Sequence, residues 1–147
     1  MRLLKELYLT TSKKLIVEDD YAGISLHHDI PDDLQKALKK DPEVGPYVRD
    51  LNSYKAIYLG DTPIGTLRID VNPKADSIKV GSVFMLPQYR GKGYAKSAIE
   101  LAIKNKPAYT FIAPYNNSSK SLFKKLGFKY YRTTEYENEP LEIWKRD

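Results

Sequence analysis

The sequence predicts one mixed α/β (α+β) domain in which strands and helices share a single core. Three observations predict it. Strand-like and helix-like patterns alternate along the chain, the length suits one core, and no linker, repeat or low-complexity stretch divides it. A chain of 147 residues buries roughly 70% of its unfolded surface, so residues 1–147 are read as a single domain.

In chain order, Leu3 to Leu9 mixes Leu and Tyr with charges and reads as an opening strand, which Leu15 to Glu18 extends or pairs with. Asp29-Ile30-Pro31-Asp32-Asp33 is a helix start, with an early proline and acids in the first turn, and Leu34, Ala37 and Leu38 follow at helical spacing. That helix ends before Pro42, and a second short one is placed around Val44 to Leu51, interrupted by Gly45-Pro46. Two strands come next, Tyr54 to Leu59 and Ile64 to Val71, with Gly60-Asp61-Thr62-Pro63 as a hairpin turn. Asn72 to Asp76 is a further turn. Ser77 to Met85 is a third strand, stopped by Pro87. Ala95, Ala98, Ile99, Ala102 and Ile103 recur on one helical face and define an amphipathic helix from about Gly93 to Asn105. Tyr109 to Ala113 is a short apolar strand. Asn116-Asn117-Ser118-Ser119 offers N-caps for a helix carrying Leu122, Phe123 and Leu126, with Gly127 as its stop. Phe128 to Thr134 and Leu141 to Lys145 close the chain as a hairpin across Glu135 to Pro140.

Composition removes several classes of function. Hydrophobic residues at 41%, aromatics at 12% and charged residues at 29% describe a chain that folds. No apolar run approaches the ~20 residues a bilayer needs, and Met1 to Glu6 carries charges where a signal peptide is apolar, so cytoplasmic residence and no membrane partner are expected. The absence of cysteine excludes disulfides, thiolate metal sites and a cysteine nucleophile. The net charge of +5 is unevenly spread: Ser77 to Phe128 holds nine Lys/Arg against Glu100 alone, while Glu18 to Asp50 holds nine acids against four bases. Opposite halves suggest ligands of opposite sign, though segregated solvated faces would read the same way.

The basic half contains the most informative turn. Pro87-Gln88-Tyr89-Arg90-Gly91-Lys92-Gly93-Tyr94-Ala95 follows a strand and opens a helix, so it presents unpaired amides at the positive end of a helix dipole. Gly91 and Gly93 remove the Cβ atoms that would hold a phosphate away, and Arg90 and Lys92 add full charge. A dinucleotide fingerprint fails, because Lys96 takes the third glycine position and Phe111 stands where a ribose-binding acid is required; a Walker loop is absent.

Gln88-x-x-Gly91-x-Gly93 resembles the Q/R-x-x-G-x-G/A signature of the GCN5-related N-acetyltransferase (GNAT) superfamily. Asn116-x-x-Ser119-x-x-Leu122-Phe123-x-Lys125-x-Gly127-Phe128 resembles that family's later motif at the expected distance. The resemblance covers Ser77 to Phe128. It implies a central mixed, largely antiparallel sheet splayed between its two parallel middle strands, here Ser77 to Met85 and Tyr109 to Ala113, and flanked by helices. It further implies acetyl-CoA as cosubstrate. Gln88, Arg90, Gly91, Lys92, Gly93, Tyr94 and Ala95 would hold the diphosphate, backbone groups of Met85 and Leu86 the pantetheine arm, with Asn116, Ser119, Phe123 and Lys125 completing the cofactor site.

The activity implied is transfer of an acetyl group to a primary amine by direct attack, with a strand amide near Phe84 or Met85 stabilising the oxyanion. Phe123 stands where many relatives carry a tyrosine that protonates the leaving thiolate. Tyr115, just upstream, is the candidate substitute. The base is open, water relayed by Ser82 or Asp70 being one route. His27-His28-Asp29 has no third ligand at metal spacing, so no metal is expected. The acidic stretch falls where the family builds its acceptor wall, which points to a cationic amine, small or on a protein; a homodimer is left open. Nucleic acid is not expected as a partner, since the acidic half interrupts a continuous phosphate-binding face. Two alternatives remain: an acyl-CoA-binding or interaction module without robust catalysis, and acyl transfer to a nucleic-acid or aminoacyl-tRNA amine.

Overall fold

The computed structural model describes residues 23–72 and 76–147. The strands expected at Leu3 to Leu9 and Leu15 to Glu18 lie outside the described residues, as does the centre of the turn after Asn72. The first described strand, β1 (Ile24–His27), was not anticipated: four residues give too short an alternation to stand out, yet Ile24 is fully buried.

α1 (Asp32–Lys40) begins after Pro31, with Asp32 and Asp33 in its first turn and Lys39 and Lys40 in its last, matching both ends of the helix dipole. The helix expected at Val44 to Leu51 does not form. The stretch makes two single 3-10 turns, Gly45–Tyr47 and Leu51–Ser53, because Pro46 suits only a helix start and Val48 is already extended. The second turn is capped by Asp50, whose carboxylate accepts from the Asn52 amide at 2.7 Å.

β2 (Tyr54–Leu59) and β3 (Thr62–Asn72) pair through Leu59 and Thr62, so only Gly60 and Asp61 form the turn and Thr62 and Pro63 belong to the strand. β4 (Ser77–Met85), α2 (Tyr94–Ile103), β5 (Ala108–Ile112) and α3 (Asn117–Lys125) follow the expected order. The closing strands β6 (Lys129–Tyr136) and β7 (Glu139–Arg146) run further than expected, leaving a two-residue turn. Glu137 and Asn138 both take positive φ there, 51° and 68°, as a hairpin of matching twist requires.

The sheet order is β1-β2-β3-β4-β5-β7-β6, with every neighbouring pair antiparallel except the central β4–β5 pair. One face carries the main core, where Ala98, Ile99, Leu101 and Ile103 of α2 and Phe123 of α3 meet Ile57, Leu67, Val80, Ile112 and Trp144. The other face carries α1, whose Leu34 and Leu38 pack on Tyr54, Ala56 and Phe84. Arg146 fastens α2 to the end of α3: its Nη1 donates to Glu100 Oε1 at 3.0 Å and to the Leu126 carbonyl at 2.9 Å. Glu100, the lone acid of the basic half, is therefore structural.

Two irregularities in β4 open the middle of the sheet. Gly81 and Ser82 together face Arg68 of β3, a bulge that bends the strand. A Cβ on Gly81 would sit 3.0 Å from Arg68 Cγ and Cδ, so a larger residue there would have to push the Arg68 side chain aside by a few tenths of an ångström. On the other side, pairing with β5 stops at Val80 and Thr110, where the Thr110 hydroxyl donates to the Val80 carbonyl at 2.8 Å. Beyond that point β4 and β5 diverge.

Candidate active site

The phosphate-type turn is built as its residues demand. After Met85 the chain makes one 3-10 turn, Pro87–Tyr89, and enters α2 through Gly91 and Gly93. These glycines hold φ of +73° and +86°, and a Cβ on either would meet nothing within 4 Å. The glycines are needed for backbone conformation, and the surface beside them is open. Gly93 is the N-cap without a side-chain cap, and the first backbone bond runs from the Ser97 amide to its carbonyl at 3.2 Å. The amides from Gly91 to Lys96 therefore have no partner among the described residues. They sit where a helix dipole favours an anion. Arg90, Lys92 and Lys96 lie on this turn, whereas Lys120 pairs with Glu142 at 3.3 Å and Lys124 covers the Trp144 ring at 5.8 Å. The basic half is thus not one patch.

Arg90 also reaches inward. Its Nε donates to the Met85 carbonyl at 2.8 Å and its guanidinium lies 5.9 Å from the Phe84 ring centroid, which ties the turn to the end of β4. The Leu86 amide donates to Ile64 at 2.8 Å and the Leu86 carbonyl accepts from Tyr89 at 2.9 Å. Antiparallel ladders alternate, so if Leu86 faces β3 then Met85 faces away from it, toward the gap that β5 has left. The Met85 amide is therefore directed to the gap while its carbonyl is taken by Arg90, and both groups of Leu86 are engaged within the protein.

The second motif forms α3. Asn116 is its N-cap, the side-chain oxygen accepting from the Ser119 amide at 3.1 Å. At the other end Phe128 donates its amide to the Phe123 carbonyl at 2.9 Å and Gly127 to Lys124 at 3.0 Å, while the Phe123 and Phe128 rings meet edge-on at 5.0 Å. This is a Schellman stop with its hydrophobic contact. Phe123 is 4% exposed and belongs to the core. Gln88 and Lys125 are exposed, Ala95 and Ser119 half-buried, and Tyr94 packs near Tyr89 with ring centroids 6.4 Å apart. Tyr115, on the loop into α3, is 84% exposed.

The two histidines separate. The His27 ring lies tilted against Tyr58, centroids 4.2 Å apart, its Nε2 2.9 Å from the Ser25 hydroxyl, while His28 meets Lys55 Nζ at 3.2 Å. Among the described residues no group of three His, Asp or Glu could hold a metal. His28, Asp29, Ile30, Gln35, Leu51 and Asn52 line an open depression of about 250 Å³ beside the start of α1. No described helix is long and apolar enough to cross a membrane. Sequence reading missed the β4 bulge and the inward bond of Arg90; Gly81 inside an otherwise regular strand was the available signal for the bulge.

A sheet parted between the one parallel pair among its described strands, with a bare-amide helix start at the mouth of the opening, defines an acyl-CoA N-acyltransferase fold. The chain belongs to the Acetyltransferase (GNAT) family, which it matches over residues 14–128, and is an acetyltransferase of that family. Arabidopsis thaliana Naa50, solved with the bisubstrate analogue CoA-Ac-MVNAL, is similar with a TM-score of 0.63 at 15% identity, over 85% of this chain and 99% of that one. A spermidine N-acetyltransferase SpeG chimera from Vibrio cholerae and hSSAT is similar at 0.65 and 19%, over 84% and 94%. A Bacillus subtilis acetyltransferase in complex with CoA is similar at 0.64 and 17%, over 84% and 97%. No curated protein sequence matches.

Proposed function

We propose that this protein transfers an acetyl group from acetyl-CoA to a primary amine by direct attack in a ternary complex. The carrying observation is the run of partnerless amides from Gly91 to Lys96 at the start of α2. They and the Arg90 and Lys92 charges bind the diphosphate, with Gln88, Tyr94 and Ala95 around them, and the free edge of β4 receives the pantetheine arm as a missing strand would. Asn116, Ser119, Phe123 and Lys125 support that arm from α3. When bound, acetyl-CoA supplies a thioester carbonyl that a neutral amine can attack.

The Met85 amide donates to the carbonyl oxygen as it becomes negative, and Arg90, bonded to the Met85 carbonyl of the next peptide unit, steadies the end of β4 beside it. Tyr115 is the candidate proton donor to the leaving thiolate. A thiol of pKa about 8.5 leaves tolerably without one, so its loss is a modest penalty. The acceptor is a cationic amine, small or protein-borne. Asp29, with His28, Gln35 and Asn52, supplies the polar lining of the depression beside α1, and Asp32 and Asp33 add charge nearby.

Thiol release measured with acetyl-CoA and a panel of amines tests this. Polyamines and lysine- or N-terminus-bearing peptides are expected to turn over, with KM for cationic acceptors raised by Asp29→Asn. Turnover of anionic acceptors alone would overturn the substrate class, and no turnover with tight CoA binding would favour a module that binds acyl-CoA without catalysis, as the hydroxyl-free Phe123 permits.

A further inference from the structure

The sheet face opposite α2 and α3 is covered by α1 only over β2 to β4; among the described residues no helix lies on it over β5, β7 and β6. Strand alternation places Lys79, Tyr109, Lys145 and Lys129 on this face, each directly opposite the next across the ladder. The row crosses from β4 to β6, three strand spacings or ~14 Å. A second row beside it holds Phe111, Ile143 and Arg132 in register, with Tyr131 at the irregularity of β6 and the Arg132 guanidinium 6.0 Å from its ring centroid. Phe111 is 39% and Tyr131 57% exposed, with Lys79 Nζ 4.8 Å from the first ring and Lys145 Nζ 4.3 Å from the second. Asp70, the acid at one end of the cationic row, is paired with Arg68 at 3.3 Å. The acidic residues that argued against a phosphate-binding face lie, where described, in α1 and its flanking loops.

We propose that this face binds single-stranded nucleic acid, phosphates along the lysine row and bases on the Phe111 and Tyr131 rings. Rings interleaved with cations on an open sheet offer stacking as well as charge, and stacking is what an acidic peptide would leave unused. A second copy of the chain would set one lysine row against another, which like charges oppose. The row's length suits about four stacked nucleotides at ~3.4 Å each. Phe111 directly follows Thr110, where β4 and β5 part, so a strand held here runs past the mouth of the reacting centre. The proposal stands whether or not the acyl acceptor is on that strand.

Fluorescence anisotropy of a labelled RNA of about 12 nucleotides with the full-length protein, from about 50 to about 200 mM salt, tests it. Saturable binding is expected, with a log–log salt slope near −2 for about three phosphates at ~0.7 each. Lys79→Gln with Lys145→Gln should weaken binding at least about tenfold and flatten the slope by ~1.4. Phe111→Ala and Tyr131→Ala should each weaken it about fivefold or more and leave the slope unchanged. Lys124→Glu, on the covered face, should change neither, and circular dichroism melting confirms that each variant is folded. Absence of binding at low salt, full affinity in the double lysine variant, displacement by acetyl-CoA, or equal competition by poly-glutamate would each overturn the proposal. The last two outcomes would move the anion to the α2 turn or identify an acidic protein partner.

Discussion

Gly93 carries two demands at once, a left-handed φ of +86° and an open approach to the first amides of α2. Gly93→Ala meets no neighbour within 4 Å and costs only the strain of that φ, about 1–2 kcal/mol, so the fold persists with a lowered melting temperature. Acetyl-CoA affinity should fall at least about tenfold, or ~1.4 kcal/mol, by calorimetry, and unchanged affinity would refute the cradle. At Phe123 the buried ring makes Phe123→Tyr a double test. Activity should be equal or higher, while the added hydroxyl, if left without a partner, costs about 1–3 kcal/mol of stability. A large drop in kcat with unchanged stability would show that the leaving group is handled otherwise. Ser77 to Met85 holds no carboxylate to take the amine proton. With no other base, kcat/KM should therefore rise about tenfold per pH unit until the acceptor amine itself titrates, near pH ~10.4 for a lysine-like amine. A plateau well below that would reveal a protein base.

The elements divide by how much of their cause is local. α2 and α3 were legible because their stripes, the Asn116 cap and the Gly127 stop all lie within a few residues of each other. Phe123→Ala should cost about 3–5 kcal/mol in chemical denaturation, since it empties a core site and removes the Phe128 contact that closes α3. β1 was not legible: four residues gain their burial from α2 and β2, and nothing local marks them. The stretch from Val44 to Leu51 misled because apolar spacing suggested a helix that Pro46 and the extended Val48 prevent. The expected β6–β7 turn is too long because Glu137 is an unusual residue for the first of two successive positive φ values, so nothing local marks a two-residue turn. Glu137→Asn with Asn138→Gly should therefore raise stability by about 0.5–1 kcal/mol, read as a higher melting temperature; no gain would argue against the turn geometry.

At the scale of the molecule, the functional opening is a product of topology. The sequence supplied the two motifs and their order, but the gap arises where a bulge in β4 and the end of β5 pairing coincide, and neither is a property of one segment. The same holds for Met85, whose outward backbone follows from the register of β3, and for Arg146, which joins α2 to α3 from the last strand. The charge asymmetry was visible as a sum, yet only folding sorts Arg90 and Lys92 to the helix start and Lys79 and Lys145 to the uncovered face. The most direct test of acyl-CoA capture is an amide NMR titration with acetyl-CoA. The largest shifts should fall on Gly91 to Lys96 and on Met85, with Leu86, already bonded to Ile64, changing little. Shifts that spare the start of α2 and gather elsewhere would contradict the site.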